Sequence, residues 1–214
     1  MAVVPNRNQS AVDQKYKDLD PTLRGADLIR RMGLINVLKE DFRTHRKRVM
    51  RPGFQAVVVY RLGTWAMTIK PRLLALPVKI FHRLAHTWVR NFYGIELAET
   101  ARVGRRLEIG HQSGIVIHEF ANIGNDVIIR QCVTFGAGSE WIVGQGPTIG
   151  DRTEFSPGAV VIGNVTIGSD VSVGPNCTVS TDVPSGRTLF MPAPRSFPKQ
   201  NLMAAEADND KPAN

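Results

Sequence analysis

The sequence predicts a left-handed parallel β-helix preceded by an α-helical region, on three observations. After Tyr93 apolar residues recur every six positions: Val103 and Ile109, then Ile117, Ile123, Ile129 and Phe135, then Ile149, Phe155, Val161, Ile167, Val173 and Val179. A second series runs two residues ahead of each step, through Ile115, Ala121, Val127 and Val133, and later Thr153, Ala159, Val165, Val171 and Cys177. Many main positions are followed by glycine, as at Val103–Gly104, Ile123–Gly124, Ile149–Gly150, Ile167–Gly168 and Val173–Gly174. A six-residue step makes one flat side of a prism, and three steps close a coil with the bulky residue inward and the small one at the corner. Each coil then buries its face against its neighbours. A sandwich would show period two and irregular turn spacing instead.

The period slips between Ile109 and Ile117 and again between Phe135 and Ile149. Extra residues do not fit inside the prism, so they must loop out. The first excursion contains His111, and the second spans about Gly136 to Pro147. Loops on a rigid scaffold are where sites are usually built, so His111 is a candidate functional residue from its position alone.

Before the β-helix the pattern is helical. Leu28, Ile29, Met32, Ile35 and Leu38 recur at three- and four-residue steps on one expected face. A second helix follows the Pro52–Gly53 break, with Phe54, Val57, Val58, Arg61, Leu62 and Trp65 in the same style. A third follows Pro71, bends near Pro77, and carries Ile80, Leu84, Trp88 and Phe92 on one side; such a stripe reads as core or subunit contact. The expected divisions are a disordered segment at 1–24, the helical region at 25–93, the β-helix at 94–189, and a C-terminal loop with a disordered tail at 190–214.

The 214 residues suffice for one sizeable core and a smaller appended element. Two cysteines, Cys132 and Cys177, are too few for a disulfide framework and match no zinc spacing. They read as reduced interior thiols of a cytoplasmic protein. The net charge of +8 is uneven, with Arg43, Arg46, Lys47, Arg48 and Arg51 forming a cluster. Such a cluster is a solvated helix end or meets an anionic surface, which leaves membrane-surface contact through residues 43–51 open. No aromatic interleaving or nucleic-acid fold signature accompanies it, so no nucleic-acid partner is expected. Residues 1–20 lack the apolar core of a secretory signal, and no window spans a membrane without a charge.

Four blocks carry a resemblance: GFQAVVVYRLG at 53–63, YGIEL at 93–97, ARVGRRLEIGHQSGIVIHE at 101–119 and VIIRQCVTFGAG at 127–138. They are similar to the hexapeptide-repeat serine acetyltransferase family, over roughly residues 50–195. The resemblance implies acetyl-CoA as donor, a homotrimer, and active sites between neighbouring subunits. It implies His111 as general base, because a hydroxyl is a poor nucleophile until its proton is removed and imidazole titrates near neutrality. It implies Glu96 as the carboxylate that orients the ring, one methylene longer than the usual aspartate. For the donor it implies the backbone at Gly136, Ala137, Ser156, Gly158, Gly174 and Pro175, with Arg195 and Lys199 reaching CoA phosphates.

The acceptor positions depart from the family. Gly110 stands where an aspartate precedes the base histidine, and Gln145–Gly146 stand where an arginine–histidine pair precedes proline. A zwitterionic acceptor loses its charged anchors there. The expectation is therefore an O-acetyltransferase acting on a sugar or polysaccharide-precursor hydroxyl, closest to the exopolysaccharide and colanic-acid type members, with Trp141 stacking on a sugar face. The alternatives are a serine O-acetyltransferase of cysteine biosynthesis and a non-catalytic β-helix assembly subunit. A metal-dependent hydratase is not expected: the repeat region has only His111 and His118, short of a three-histidine metal set.

Overall fold

The computed structural model describes residue 16 and residues 19–138 and 142–193. Helices α1 (Gly25–Met32) and α2 (Leu34–Thr44) are separated by Gly33, whose φ of +79° suits a residue without Cβ. This break resets the helix face. Leu28, Ile29 and Met32 are buried, whereas Ile35, expected on the same face, is 68% exposed. Helix α3 (Pro52–Ala66) opens with proline in its first turn, where the missing N–H costs nothing. A short 3₁₀ turn at Arg72–Ala75 leads into α4 (Leu76–Trp88), and one π turn at Val89–Tyr93 delivers the chain to the first strand.

Three parallel sheets make the sides of the prism. The first stacks β1 (Ile95–Leu97), β4 (Ile115–Ile117), β7 (Thr134–Gly136), β10 (Val160–Ile162) and β13 (Thr178–Val179). The second stacks β2 (Arg102–Val103), β5 (Asn122–Ile123), β8 (Thr148–Ile149) and β11 (Thr166–Ile167). The third stacks β3 (Glu108–Ile109), β6 (Ile128–Ile129), β9 (Glu154–Phe155), β12 (Ser172–Val173) and β14 (Thr188–Leu189). These strands wind through about five coils of the left-handed β-helix that the hexapeptide period predicts.

Register locates the insertions. Ile149 pairs with Ile167, eighteen residues on, which is one coil of three six-residue sides. Ile109 pairs with Ile129, twenty on, because the His111 excursion lies between them. Ile123 pairs with Ile149, twenty-six on, because the second excursion does. The inward residues form one continuous core, with Phe135 and Phe155 in edge contact at 4.7 Å. Cys177 joins that core, but Cys132 is exposed, not interior as expected. It occupies a coil corner at φ +59°.

The prism has an open first coil, and the helices close it. Ala56, Val57 and Tyr60 of α3 belong to the β-helix core and plug its end. The Tyr60 hydroxyl donates to the Ala101 carbonyl at 2.7 Å and lies 3.3 Å from the Val103 N–H. Arg61, fully buried, donates to the carbonyls of Val103 at 3.2 Å and Gly104 at 2.7 Å. Its Nε donates to Asp41 of α2 at 2.9 Å, which ties both helices to the coil. Burial opposes the guanidinium charge, but the Asp41 carboxylate more than offsets this and holds the Arg61 pKa above its ordinary value. Glu40 next to it pairs with Arg105 and lies 3.9 Å from Arg106 on the coil.

Two expectations for the chain's outer parts change. Residues 19–24, expected to be disordered, lie on the β-helix: Arg24 pairs with Asp151 at 3.0 Å, and Asn125 donates to the Pro21 carbonyl. Ile80, Leu84, Trp88 and Phe92 face outward, with exposures of 56, 69, 53 and 67%, so of the two expected roles the core one is excluded and subunit contact stands. No helix among the described residues is long and apolar enough to cross a membrane.

Removing one partner of the buried pair isolates its role. Asp41→Ala leaves a charged guanidinium buried without its counter-ion, and urea unfolding is expected to show a loss of about 3–5 kcal/mol.

Candidate active site

Strand β3 ends at Ile109, and the chain leaves the prism through Gly110, His111, Gln112, Ser113 and Gly114 before β4 begins. Both ends of this excursion are pinned. Gly110 N–H donates to the Ile129 carbonyl at 2.9 Å, as a ladder residue. Ser113 N–H donates to the Tyr93 carbonyl at 2.8 Å, and Ile115 N–H to the Gly94 carbonyl at 3.0 Å. Cys132 N–H in turn donates to the Ser113 carbonyl at 2.9 Å. Between the pins, His111 and Gln112 project into solvent.

The excursion stacks on Tyr93–Gly94, so strand β1 lies beside it. Gly94, at φ +61°, leaves only 3.2 Å between an added Cβ and the Gly114 nitrogen, a contact that needs glycine. Glu96 is the outward residue of β1 and sits in register with Val116. The segment that carries His111 is thus stacked on the start of the strand that carries Glu96. No hydrogen bond joins His111 to Glu96 among the described residues.

The strand that carries the excursion is gripped from below. The His45 Nδ1–H donates to the Asp41 carbonyl at 2.8 Å, which leaves Nε2 to accept the Ile109 N–H at 3.2 Å. Burial pushes the His45 pKa below the usual histidine range, against the pull of its bond to the Asp41 carbonyl. Arg51 places Nη2 3.4 Å from the Gly110 carbonyl and Nη1 3.6 Å from Glu108. One member of the basic cluster is therefore turned inward, while Arg46, Lys47 and Arg48 are exposed. None of these contacts was legible in the sequence.

The positions expected to meet the donor lie on later coils. Gly136 ends β7, Ala137 follows it, and Ser156 N–H donates to the Val173 carbonyl at 2.9 Å. Gly158 and Gly174 have packing reasons of their own: an added Cβ would lie 2.2 Å from Asn176 Oδ1 and 2.8 Å from the Leu189 carbonyl respectively. Pro175 is exposed at the next corner. Trp141, Arg195 and Lys199 lie outside the described residues. Gln145 closes a turn by donating its N–H to the Ile142 carbonyl at 3.1 Å. Gly146 lies against Phe120, where an added Cβ would be 2.9 Å from the carbonyl carbon.

A cavity of about 510 Å³ lies elsewhere, between α3, α4 and the first coil, and holds none of the predicted site residues. His82 lines it, but its Nε2 is packed against Gly63, where an added Cβ would be 2.4 Å away. Among the described residues no group of three or more His, Cys, Asp or Glu is placed to hold a metal.

Comparison with known proteins bears on this geometry. Residues 146–181 match the family model "Bacterial transferase hexapeptide (six repeats)". A serine acetyltransferase of Helicobacter pylori is 35% identical over 158 residues, covering 72% of this chain and 88% of that protein. The chain belongs to the serine acetyltransferase family. The Mycobacterium tuberculosis serine acetyltransferase is 39% identical over 134 residues, 62% of this chain and 55% of that one. Serine acetyltransferase isoform 3 of Entamoeba histolytica, solved with cysteine, superposes with a TM-score of 0.66 at 25% identity, covering 83% of this chain and 66% of that one. The soybean serine acetyltransferase apoenzyme superposes with a TM-score of 0.61 at 27% identity, covering 83% and 69%. The chain thus spans about two thirds of these solved relatives.

Family membership makes the chain an acyltransferase enzyme and corrects the expected acceptor. The sugar reading rested on Gly110 and Gln145–Gly146, two short positions, whereas the similarity to serine acetyltransferases extends over 158 residues. Relatives and structural neighbours alike are serine acetyltransferases, and polysaccharide biosynthesis has no support among them.

The buried histidines predict how the stability of the chain depends on pH. His45 and His82 both have folded pKa values held below the ordinary 6.5 by burial. Above that value both folded and unfolded chains are neutral there, and the contribution is fully present. As pH falls from about 6.5 through the folded pKa, the unfolded chain takes up protons that the folded chain does not, and stability is lost. Around His45 the charged groups are Asp41, Glu108 and Arg51. The unfolding free energy in urea is expected to fall between about pH 7 and pH 5, and to fall less in His45→Gln, which cannot titrate.

Proposed function

We propose that this chain is a serine O-acetyltransferase that moves the acetyl group of acetyl-CoA to the serine hydroxyl, with His111 as general base. The observation that supports this reading is the exposed His111, held between two pinned backbone segments that stack on the start of β1, in a chain similar to a serine acetyltransferase over 158 residues. The imidazole takes the hydroxyl proton as the oxygen attacks the thioester carbonyl. A C–O bond forms, the C–S bond breaks, and the imidazolium returns its proton to the leaving CoA thiolate. Glu96 orients the ring and stabilises the imidazolium. The donor runs past Gly136, Ala137, Ser156, Gly158, Gly174 and Pro175, in the groove between neighbouring copies of a homotrimer.

The acceptor seat differs from the family pattern at Gly110, and that difference has a measurable consequence. Without an aspartate the serine ammonium lacks a charged partner at this position, so serine binding is the weak step. There is room to restore it: an added Cβ would lie 3.8 Å from the Ile129 carbonyl and 3.9 Å from Arg130 Cγ, ordinary contacts.

CoA release from acetyl-CoA and L-serine tests the reading. Turnover with serine is expected, and His111→Ala is expected to lower kcat about 10²–10⁴-fold. Absence of histidine-dependent turnover on serine would remove the proposal. Gly110→Asp is expected to lower the serine KM about tenfold through one charge-assisted hydrogen bond. An unchanged KM would show that the ammonium is held elsewhere.

A further inference from the structure

His45 has no partner role in the reaction as proposed, yet it is the fully buried polar group nearest in the chain of contacts to the base. Strand β3 is the outermost strand of its sheet, so the Ile109 N–H has no neighbouring strand to pair with. His45 Nε2 accepts that N–H at 3.2 Å. The ring is locked from the other side by its Nδ1–H to the Asp41 carbonyl at 2.8 Å, and Phe54 packs against it with ring centroids 5.7 Å apart. Two neighbours confine the same strand. Gly53 presses so close that an added Cβ would lie 2.1 Å from the Ile109 carbonyl oxygen. Arg51 reaches Glu108 on one side of Ile109 and the Gly110 carbonyl on the other. Residues 108, 109 and 110 are each held by the α2–α3 turn, and the next residue is His111.

We infer that His45 is a positioning residue for His111: by accepting the Ile109 N–H it fixes the height and direction at which the excursion leaves the prism. This rests on the reading of His111 as the base. Without the acceptor, the Ile109 N–H is buried and unpaired, and the strand end can relieve this only by shifting. A shift of about 1 Å at a base is enough to cost on the order of a hundredfold in rate. The effect falls on kcat and leaves the acetyl-CoA KM unmoved, because the positions proposed for the donor lie on later coils.

The matched control lies in the same coil. Tyr60 caps the edge of β2 through Ala101 and Val103, as His45 caps β3, but its strand does not lead to His111. His45→Phe keeps a ring and loses the acceptor, whereas His45→Gln keeps one donor and one acceptor on its amide.

Steady-state kinetics on His45→Phe, His45→Gln, Tyr60→Phe and His111→Ala, each shown folded by thermal melting, test the inference together with the His111 imidazole resonances, which need no acceptor. His45→Phe is expected to lower kcat about ten- to a hundredfold with the acetyl-CoA KM within about twofold, and to shift the His111 resonances. His45→Gln is expected to recover most of kcat, and Tyr60→Phe to melt earlier with kcat and resonances unchanged. Unmoved His111 resonances in His45→Phe, or an equal loss of kcat in Tyr60→Phe, would overturn the positioning role. An active His111→Ala would instead remove the base itself. Inactive His111→Ala with fully active His45→Phe removes only the positioning role.

Discussion

A stack of parallel strands cannot end without leaving one row of backbone groups unpaired, and this end effect governs the chain's architecture. Every coil of the β-helix except the first has a neighbour on its N-terminal side. The first coil has helices instead, and they satisfy it group by group. Arg61 takes two carbonyls, Tyr60 a carbonyl and an N–H, His45 an N–H. Buried polar groups are costly when unpaired, so three polar side chains from α3 and the α2–α3 turn do what one more strand would have done. The arrangement places a full charge where no water reaches, and Asp41 is the partner that makes this tolerable. Solenoids in general need such capping segments; here the cap is built from side chains aimed at particular atoms.

The repeating part of the fold was legible because one physical constraint acts at every coil. A side chain at each sixth position must fill the prism, so the period survives any local choice of Ile, Val or Phe. The two excursions were legible for the same reason, since a break in a strict period can only mean residues outside the prism. The cap was not legible. Asp41, His45, Tyr60 and Arg61 form no motif, because the last three each answer different unpaired backbone groups some forty or more residues later and Asp41 answers Arg61. The helical face through Ile35 failed for a local reason, a single glycine at positive φ, and Cys132 failed because a corner position turned its side chain out.

At the site, His111 was visible through the break in period, and Glu96 only through likeness to a family. The stack of the excursion on Tyr93–Gly94 links the segments that carry them, which neither residue announces. The acceptor was misread, and the reason is instructive. Two missing anchors were weighed as if each residue had a single task. Gly146, however, packs against Phe120 with no space for a Cβ, so its identity is bound up with how the second excursion closes on the coil. Gly110 is not so confined, and only there does the absent side chain bear on the acceptor alone.

Closing the prism and placing His111, the proposed base, are one problem in this chain. The His111 excursion follows β3, and β3 is an edge strand, so whatever satisfies that edge also sets where the excursion begins. Had the excursion left a middle coil, strands on both sides would hold it and the helices could vary freely. Because it leaves the first, the α2–α3 turn must present an acceptor to Ile109, a backbone close enough to exclude any Cβ at Gly53, and a cation to the Gly110 carbonyl. On the proposed role of His111, substitutions in that turn therefore bear on both stability and catalysis, whereas equivalent changes around β2 bear on stability. The position of an insertion along a solenoid, and not only its sequence, decides which remote residues a site depends on.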